Sequence, residues 1–396
     1  MRQLWVFLCF FISASSWGQE TWPETLAKAK GQTVYFYAWG GSQSINDYIR
    51  WAARAAQSQY GIEVKHVKVA DTANVVNQVL AEKTAGKHAQ GSVDLVWING
   101  ENFASMKANE LLHGPFAESL PNFVLVDIEQ KPSIAFDFGT PVEGYESPWG
   151  MAQFVFMADS AKVKPFPASA LELLAYLKQN PGQFSYPKLP DFHGVSFLKQ
   201  MLIETSNAHP ALYQDIEQSE SPEQVLAPLW HYLDQLHPLM WRQGKTFVSS
   251  QAQLKAKLND EAITIAFSFN PNDAANSIAT GELPETVKTY VHKAGSLGNT
   301  HFVAIPYNAN AKAGAKVFAN FLLSPEAQAR KADPAIWGDP TVLALNKLTP
   351  QQTTSFNAIE RHPASLTPVQ LGHILVELHP SWVGYIEKEW IKRYGQ

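Results

Sequence analysis

The chain has 396 residues, more than one hydrophobic core organises comfortably, so two units of ordinary domain size are expected. A composition that is 45% hydrophobic, 12% aromatic and only 17% charged excludes global disorder, collagen-like repeats and coiled coil. Lys and Arg number 31 against 36 Asp and Glu, and a net charge of −5 leaves no basic excess for a phosphate backbone, so no nucleic-acid partner is expected.

The N-terminus reads as a secretory signal. Arg2 supplies the positive start, Leu4 to Ile12 the short apolar run, and Ser16 and Gly18 the small residues at the −3 and −1 positions. Cleavage is expected after Gly18, giving a soluble periplasmic protein. The apolar run is too short to span a bilayer, and no later stretch offers about 18 consecutive apolar residues. The one cysteine, Cys9, lies inside this run and leaves with it. An exported chain without disulfides has to be stable on packing alone, which this length permits.

In chain order, Val34 to Ala38 reads as an apolar, aromatic strand that ends in Trp39-Gly40-Gly41-Ser42. Ser44 with Asp47 three residues on resembles a helix start, Ile45, Tyr48, Ile49, Ala52 and Ala56 recur at helical spacing, and Gly61 stops the run. Glu63 to Val69 alternates as a strand. After Asp71-Thr72 a helix carries Val75, Val76, Val79 and Leu80. Ser92 to Ile98 is a buried strand, followed by Asn99-Gly100-Glu101 and a helix through Leu112. This β-α-β-α-β-α order implies a parallel sheet covered by helices.

A break at Ser147 to Gly150 opens a second block with the same grammar. Met151 to Met157 is a strand, Ala168 to Gln179 a helix, and Gln183 to Tyr186 a short strand before the Pro-rich loop Pro187 to Gly194. A helix then starts at Val195, Gln251 to Asn259 is helical, and Ala262 to Ser268 is a strand ending in Phe269-Asn270-Pro271-Asn272. Residues 207–248 read as helical without a clear order. Ligands of open parallel α/β sheets sit beyond the carboxyl ends of the strands. The loops at those ends, facing each other across two sheets, would line a cleft.

Motifs for covalent or metal chemistry fail. HExxH, CxxC, an EF-hand loop, GxGxxG, GxxxxGK[ST] and GxSxG are all absent, so no metal, no cofactor and no catalytic residue is expected. Ser196-Phe197-Leu198-Lys199 has the S-x-x-K form of serine acyltransferases but lacks its companion motifs. Glu101 and Asp191 could serve as a glycosidase pair. A periplasmic glycoside hydrolase or serine esterase is therefore the alternative to a binding protein.

Tyr37-Ala38-Trp39-Gly40-Gly41, the run Asp94 to Asn102 (DLVWINGEN), Pro148-Trp149-Gly150, Asn299 to Pro306 and Ala319 to Gln328 carry a resemblance over nearly the whole mature chain. It resembles the periplasmic solute-binding proteins of ABC importers, in their YnjB-type branch. The resemblance implies an α/β, two-lobed, type II-like periplasmic-binding-protein fold, with two mostly parallel sheets flanked by helices and a hinge between them. Lobe 1 would take 19–148 and 297–340, and lobe 2 would take 149–296 and 341–396. The adjacent tyrosine pair of ferric-binding relatives is missing.

The implied activity is capture of a small solute, an organic cation or a sugar-like molecule, by hinge closure of a monomer that delivers it to a membrane permease. Trp39 would stack on the solute, and Gly40, Gly41, Ser42 and Gly100 would allow close backbone approach. Asn99, Glu101, Asn270 and Asn272 would hydrogen-bond to it, with Thr72, Trp149, Asp191 and Gly194 completing the lining.

Overall fold

A computed structural model of the protein describes residues 20–69 and 71–395, so the expected signal segment lies outside the described residues. After helix α1 (Trp22–Ala29), strand β1 (Thr33–Trp39) alternates Val34, Phe36 and Ala38 into a core shared with helix α2 (Gln43–Tyr60). The apolar stripe read from the sequence faces that core, and Gly61 ends α2 in the left-handed region at φ 69°. Strand β2 (Glu63–Val69), helix α3 (Thr72–Thr84), strand β3 (Leu95–Ile98) and helix α4 (Glu101–Ala108) follow, with β2 and β3 both parallel to β1. A small hairpin of β4 (Phe136–Asp137) and β5 (Thr140–Pro141) comes next.

Strand β6 (Glu146–Gln153) is buried along its whole length and leads through Phe154 into β7 (Val155–Asp159). Helices α5 (Ala170–Gln179), α6 (Phe192–Thr205), α7 (Pro222–Leu236) and α8 (Gln251–Asn259) precede β8 (Ile265–Ser268), helix α9 (Asp273–Ala279) and β9 (Val287–Tyr290). Strand β10 (Ser296–Ala304) returns antiparallel to both β3 and β6. Helices α10 (Lys312–Leu322), α11 (Pro325–Ala332), α12 (Pro350–Asn357) and α13 (Pro368–Leu371), the short strand β11 (Ile374–Leu375) and helix α14 (Ser381–Tyr394) complete the chain.

The main sheet is six-stranded and mixed, in the order β2-β1-β3-β10, with β6 and β11 also on β10. Its two faces carry separate cores. Phe36, Tyr48, Trp149 and Phe318 lie on one, and Val79, Ile98, Phe103 and Phe302 on the other. A third core, built from α5 to α9, α14 and the sheet β8-β7-β9, contains Phe156, Phe197, Trp382 and Trp390. The chain passes between the two sheets at Phe154, whose amide donates to the Leu297 carbonyl (2.7 Å), and returns through β10.

Several expectations are corrected. The second sheet is antiparallel, β7 pairing in that sense with both β8 and β9, because β7 continues from a strand of the first sheet instead of opening a new βαβ unit. Ser147 to Gly150 is not a break but the middle of β6. Pro148 is accommodated where the β6–β10 register shifts at His301/Phe302. Residues 151–157 form parts of two strands, split at Phe154. Gln183 to Tyr186 forms no named strand, only a bridge from Phe184 to Ile265. Helix α2 is capped at Ser42 and not Ser44, α6 starts three residues early behind Asp191, and α4 stops at Ala108.

Candidate ligand site

The loops expected to bind a ligand follow the carboxyl ends of β1, β3 and β8, and contacts such as Asn272 to Gly338 and Lys199 to Phe138 join the first half of the molecule to the second along a seam. At the end of β1, Trp39 is 42% exposed, and its ring folds over Gly41, where a Cβ would lie 2.2 Å from it. The Gly40 carbonyl accepts from Asn46 Nδ2 (3.0 Å), fixing the turn into α2. The Ser42 hydroxyl pairs with that of Ser44 (2.9 Å), and the Thr72 hydroxyl donates to the Trp97 carbonyl (3.3 Å), tying α3 to β3.

Asn99 is half-buried before Gly100, which adopts φ 61°. The Gly100 amide is not free for a ligand. It donates to Asp137 Oδ2 at 2.7 Å, and the Phe138 ring covers the Gly100 α-carbon. Burial pushes the Asp137 carboxyl well up, the Gly100 amide pulls it down, and Glu377 across the seam pushes it up again. Behind it Glu146 is fully buried with neither carboxyl oxygen hydrogen-bonded, and burial first, then Asp137, raises it strongly. Glu101, the first residue of α4, is exposed and faces Glu387 of α14, whose carboxyl is raised by burial and then by the Glu101 charge.

From the other side, Asp191 caps α6 by accepting from the amides of His193 (2.9 Å) and Gly194 (3.2 Å). Asn270 Oδ1 accepts from the Asn272 amide (2.9 Å). Asn272 reaches across the seam, its Nδ2 donating to the Gly338 carbonyl at 2.5 Å. A second crossing is made by the Phe138 ring, 4.9 Å from Lys199 Nζ, while Lys199 pairs with Glu377 at 2.5 Å.

Two expected lining residues lie elsewhere. Trp149 is fully buried in an aromatic cluster with Trp97, Trp337, Tyr48 and Phe36, so its ring cannot touch a solute in the seam. Gly194 is also buried, and a Cβ there would meet the Pro187 carbonyl at 2.2 Å, so its role is helix packing. Of the residues considered for catalysis, Ser196 is buried and donates to the Phe192 carbonyl (2.8 Å), and Lys199 is bound to Glu377. Glu101 and Asp191 belong to opposite sides of the seam.

Residues that sequence reasoning missed are Asp137, Phe138, Phe192, Glu377 and Glu387. Phe192 is 42% exposed on Phe269 beside Asp191, and an aromatic next to a capping acid was its only signal. The others come from segments distant in sequence, and none belongs to a motif. Two concavities of about 660 and 520 Å³, lined around Arg50/Arg54 and around Trp51/Arg330, contain none of the candidate residues. Among the described residues no group of three His, Cys, Asp or Glu could hold a metal ion, and no helix is long and apolar enough to cross a membrane.

Residues 50–350 match the model of a family described as bacterial extracellular solute-binding protein. The chain belongs to that family. It is 46% identical over 374 residues to protein YnjB of Escherichia coli K12, covering 94% of each chain. Among solved structures it is similar to the spermidine/putrescine ABC transporter substrate-binding protein PotD of Streptococcus pneumoniae, with TM-score 0.63, 16% identity and coverage of 92% and 100%. It is also similar to the periplasmic binding protein AfuA of Actinobacillus pleuropneumoniae, a structure with fructose 6-phosphate bound, with TM-score 0.60, 14% identity and coverage of 92% and 99%. The fold is accordingly the α/β fold of periplasmic binding proteins, and this family member binds solutes and is not an enzyme.

Proposed function

We propose that this protein is the periplasmic receptor of an ABC importer, exported by cleavage after Gly18, and that it closes as a monomer around a small cationic solute before handing it to a membrane permease. Two lobes would move about β6 and β10. Core membership supports boundaries somewhat beyond the expected ones. Trp149, Met151, Val342, Leu348 and Phe356 pack with the first core and Ala364 and Leu378 with the third, so lobe 1 takes about 20–151 and 298–359 and lobe 2 the rest.

The observation that carries the cationic reading is the charge on the seam. Glu101 of α4 faces Glu387 of α14, one acid from either side, whereas Asp137 is held towards its neutral form by burial and Glu377 is paired with Lys199. Like charges brought together on closure oppose it, and a bound cation removes that opposition. Trp39 and Phe192, both exposed, would cover the alkyl part of such a solute. The similarity to a spermidine/putrescine-binding fold is compatible with this chemistry.

Calorimetry with spermidine, putrescine and fructose 6-phosphate tests the reading. A polyamine should bind and Glu101→Gln should weaken it. Binding of the sugar phosphate with no response to either polyamine would overturn the cationic assignment.

A further inference from the structure

Consecutive carbonyls of Trp337 and Gly338 point across the seam and are taken by two asparagines one helical turn apart. Asn272, at the N-cap of α9, donates from Nδ2 to Gly338 O at 2.5 Å, and Asn276 donates to Trp337 O at 3.2 Å. The amides of the same loop are satisfied within it, since Trp337 N bonds to Asp333 O (3.0 Å) and Gly338 N to Lys331 O (3.0 Å). Only its carbonyls remain to be paired from outside.

Both partners are held rigidly. On the loop side, the buried Asp339 accepts from Lys331 Nζ and His301 Nε2, and the Trp337 ring is wedged against His301, Trp97, Trp149 and Tyr48. On the helix side, Asn272 Oδ1 accepts from Ser365 Oγ (2.8 Å) while the Asn272 amide donates to Asn270. Gly338 adopts φ 80°, and a Cβ there would lie 2.8 Å from the Asn272 Cβ, so the approach requires glycine. Every polar group of the Asn272 side chain is thus engaged by protein.

We propose that Asn272 and Asn276, gripping Trp337 and Gly338, form a latch that holds the two halves together without any ligand and sets how much of the empty protein is closed. This rests on the two-lobed, closing reading above, but not on the identity of the solute. Asn272 is then a positioning residue for closure and not a ligand contact. A receptor in which only a fraction of molecules is binding-competent loses affinity by that fraction, so the latch tunes affinity from outside the ligand.

The test is Asn272→Asp with Asn276→Asp. Aspartate keeps the size of asparagine and still accepts from Ser365, but it turns both donors into acceptors facing carbonyls. Nitroxide labels at Gln43→Cys and Lys188→Cys, in a mature chain free of other cysteines, report the distance between the halves by electron–electron resonance. Without ligand, the double variant should shift toward longer distances, with a closed-to-open ratio about tenfold lower. Both bonds are part-buried, so a lower melting temperature accompanies their loss, and the distance distribution of the folded protein is the deciding readout.

A ligand-free distance distribution that coincides with the wild type's overturns the latch. If the double variant does not fold, the same comparison is made on Gly338→Ala, whose Cβ displaces Asn272. Because the readout needs no solute, a failure of polyamine binding and a failure of the latch are separately visible.

Discussion

Glu146 makes folding take up a proton. Its side chain is fully buried under α4, its two oxygens have no hydrogen-bond partner, and the nearby charges are the carboxyl of Asp137, which raises it, and the ammonium of Lys107, which lowers it. Desolvation favours the neutral acid, so the folded protein holds this proton above the ordinary carboxyl value of 4.5, where the unfolded chain has released it. With a raised folded value, the stability tied to this group is complete below 4.5. It is lost as pH rises, by up to about 1.4 kcal/mol per pH unit while the folded carboxyl stays protonated.

Between pH 5 and pH 7 the loss reaches at most about 2.7 kcal/mol. Unfolding a chain of this length releases roughly 0.8 kcal/mol per kelvin of entropy, so this is a shift of about 3 °C. Glu146→Gln has the shape of the protonated acid and cannot ionise. It should match the wild type near pH 5 and melt about 3 °C higher at pH 7. The assay is scanning calorimetry of both proteins across that range, read as the difference between them so that titrating groups away from the Glu146–Asp137 pair cancel. A difference that does not change with pH would refute the buried, proton-holding carboxyl. A variant less stable at every pH would show an unrecognised partner for Glu146.

Trp39→Ala should lower solute affinity by a factor of about 5 to 30, from loss of 1–2 kcal/mol of stacking, with little change in melting temperature because the ring is 42% exposed; titration calorimetry and circular dichroism read the two effects. Trp149→Ala should do the reverse, costing on the order of 3–5 kcal/mol of stability in denaturant unfolding through the cavity it leaves in a fully buried aromatic cluster. Gly150→Ala would place a Cβ 2.0 Å from Asp339 Oδ2 and 2.8 Å from Lys331 Nζ, breaking a buried ion pair; urea unfolding should show a loss of about 3–5 kcal/mol. Ser196→Ala should leave binding unchanged and alter stability by less than about 1 kcal/mol, since the hydroxyl only donates to a helix carbonyl.

What the sequence made legible was local. The α2 stripe, Gly61, the β1 and β2 strands and the α8 boundaries follow from periodicity and caps within a few turns of chain, and the structure has them where the pattern puts them. What failed depended on partners far away. Pro148 reads as a breaker, and only the register shift at Phe302, more than 150 residues on, lets it sit inside β6. The antiparallel sense of β7 against β8 and β9 is likewise set by where the chain has come from, which alternation alone does not encode.

The same distinction governs the seam. A glycine before a helix N-terminus is a familiar place for a ligand's acceptor, and Gly100 has the required backbone. Yet its amide is occupied by the carboxyl of Asp137, from a hairpin 37 residues downstream, which burial first and then Glu377 push towards the neutral acid while the Gly100 amide pulls it back. That pre-emption has a chemical consequence. With Asp137 already seated at the α4 terminus, no free Gly100 amide remains for an anion arriving from solution. The residue that removes the obvious anion site, Asp137, could be found only by folding the chain, because it comes from a hairpin and belongs to no motif.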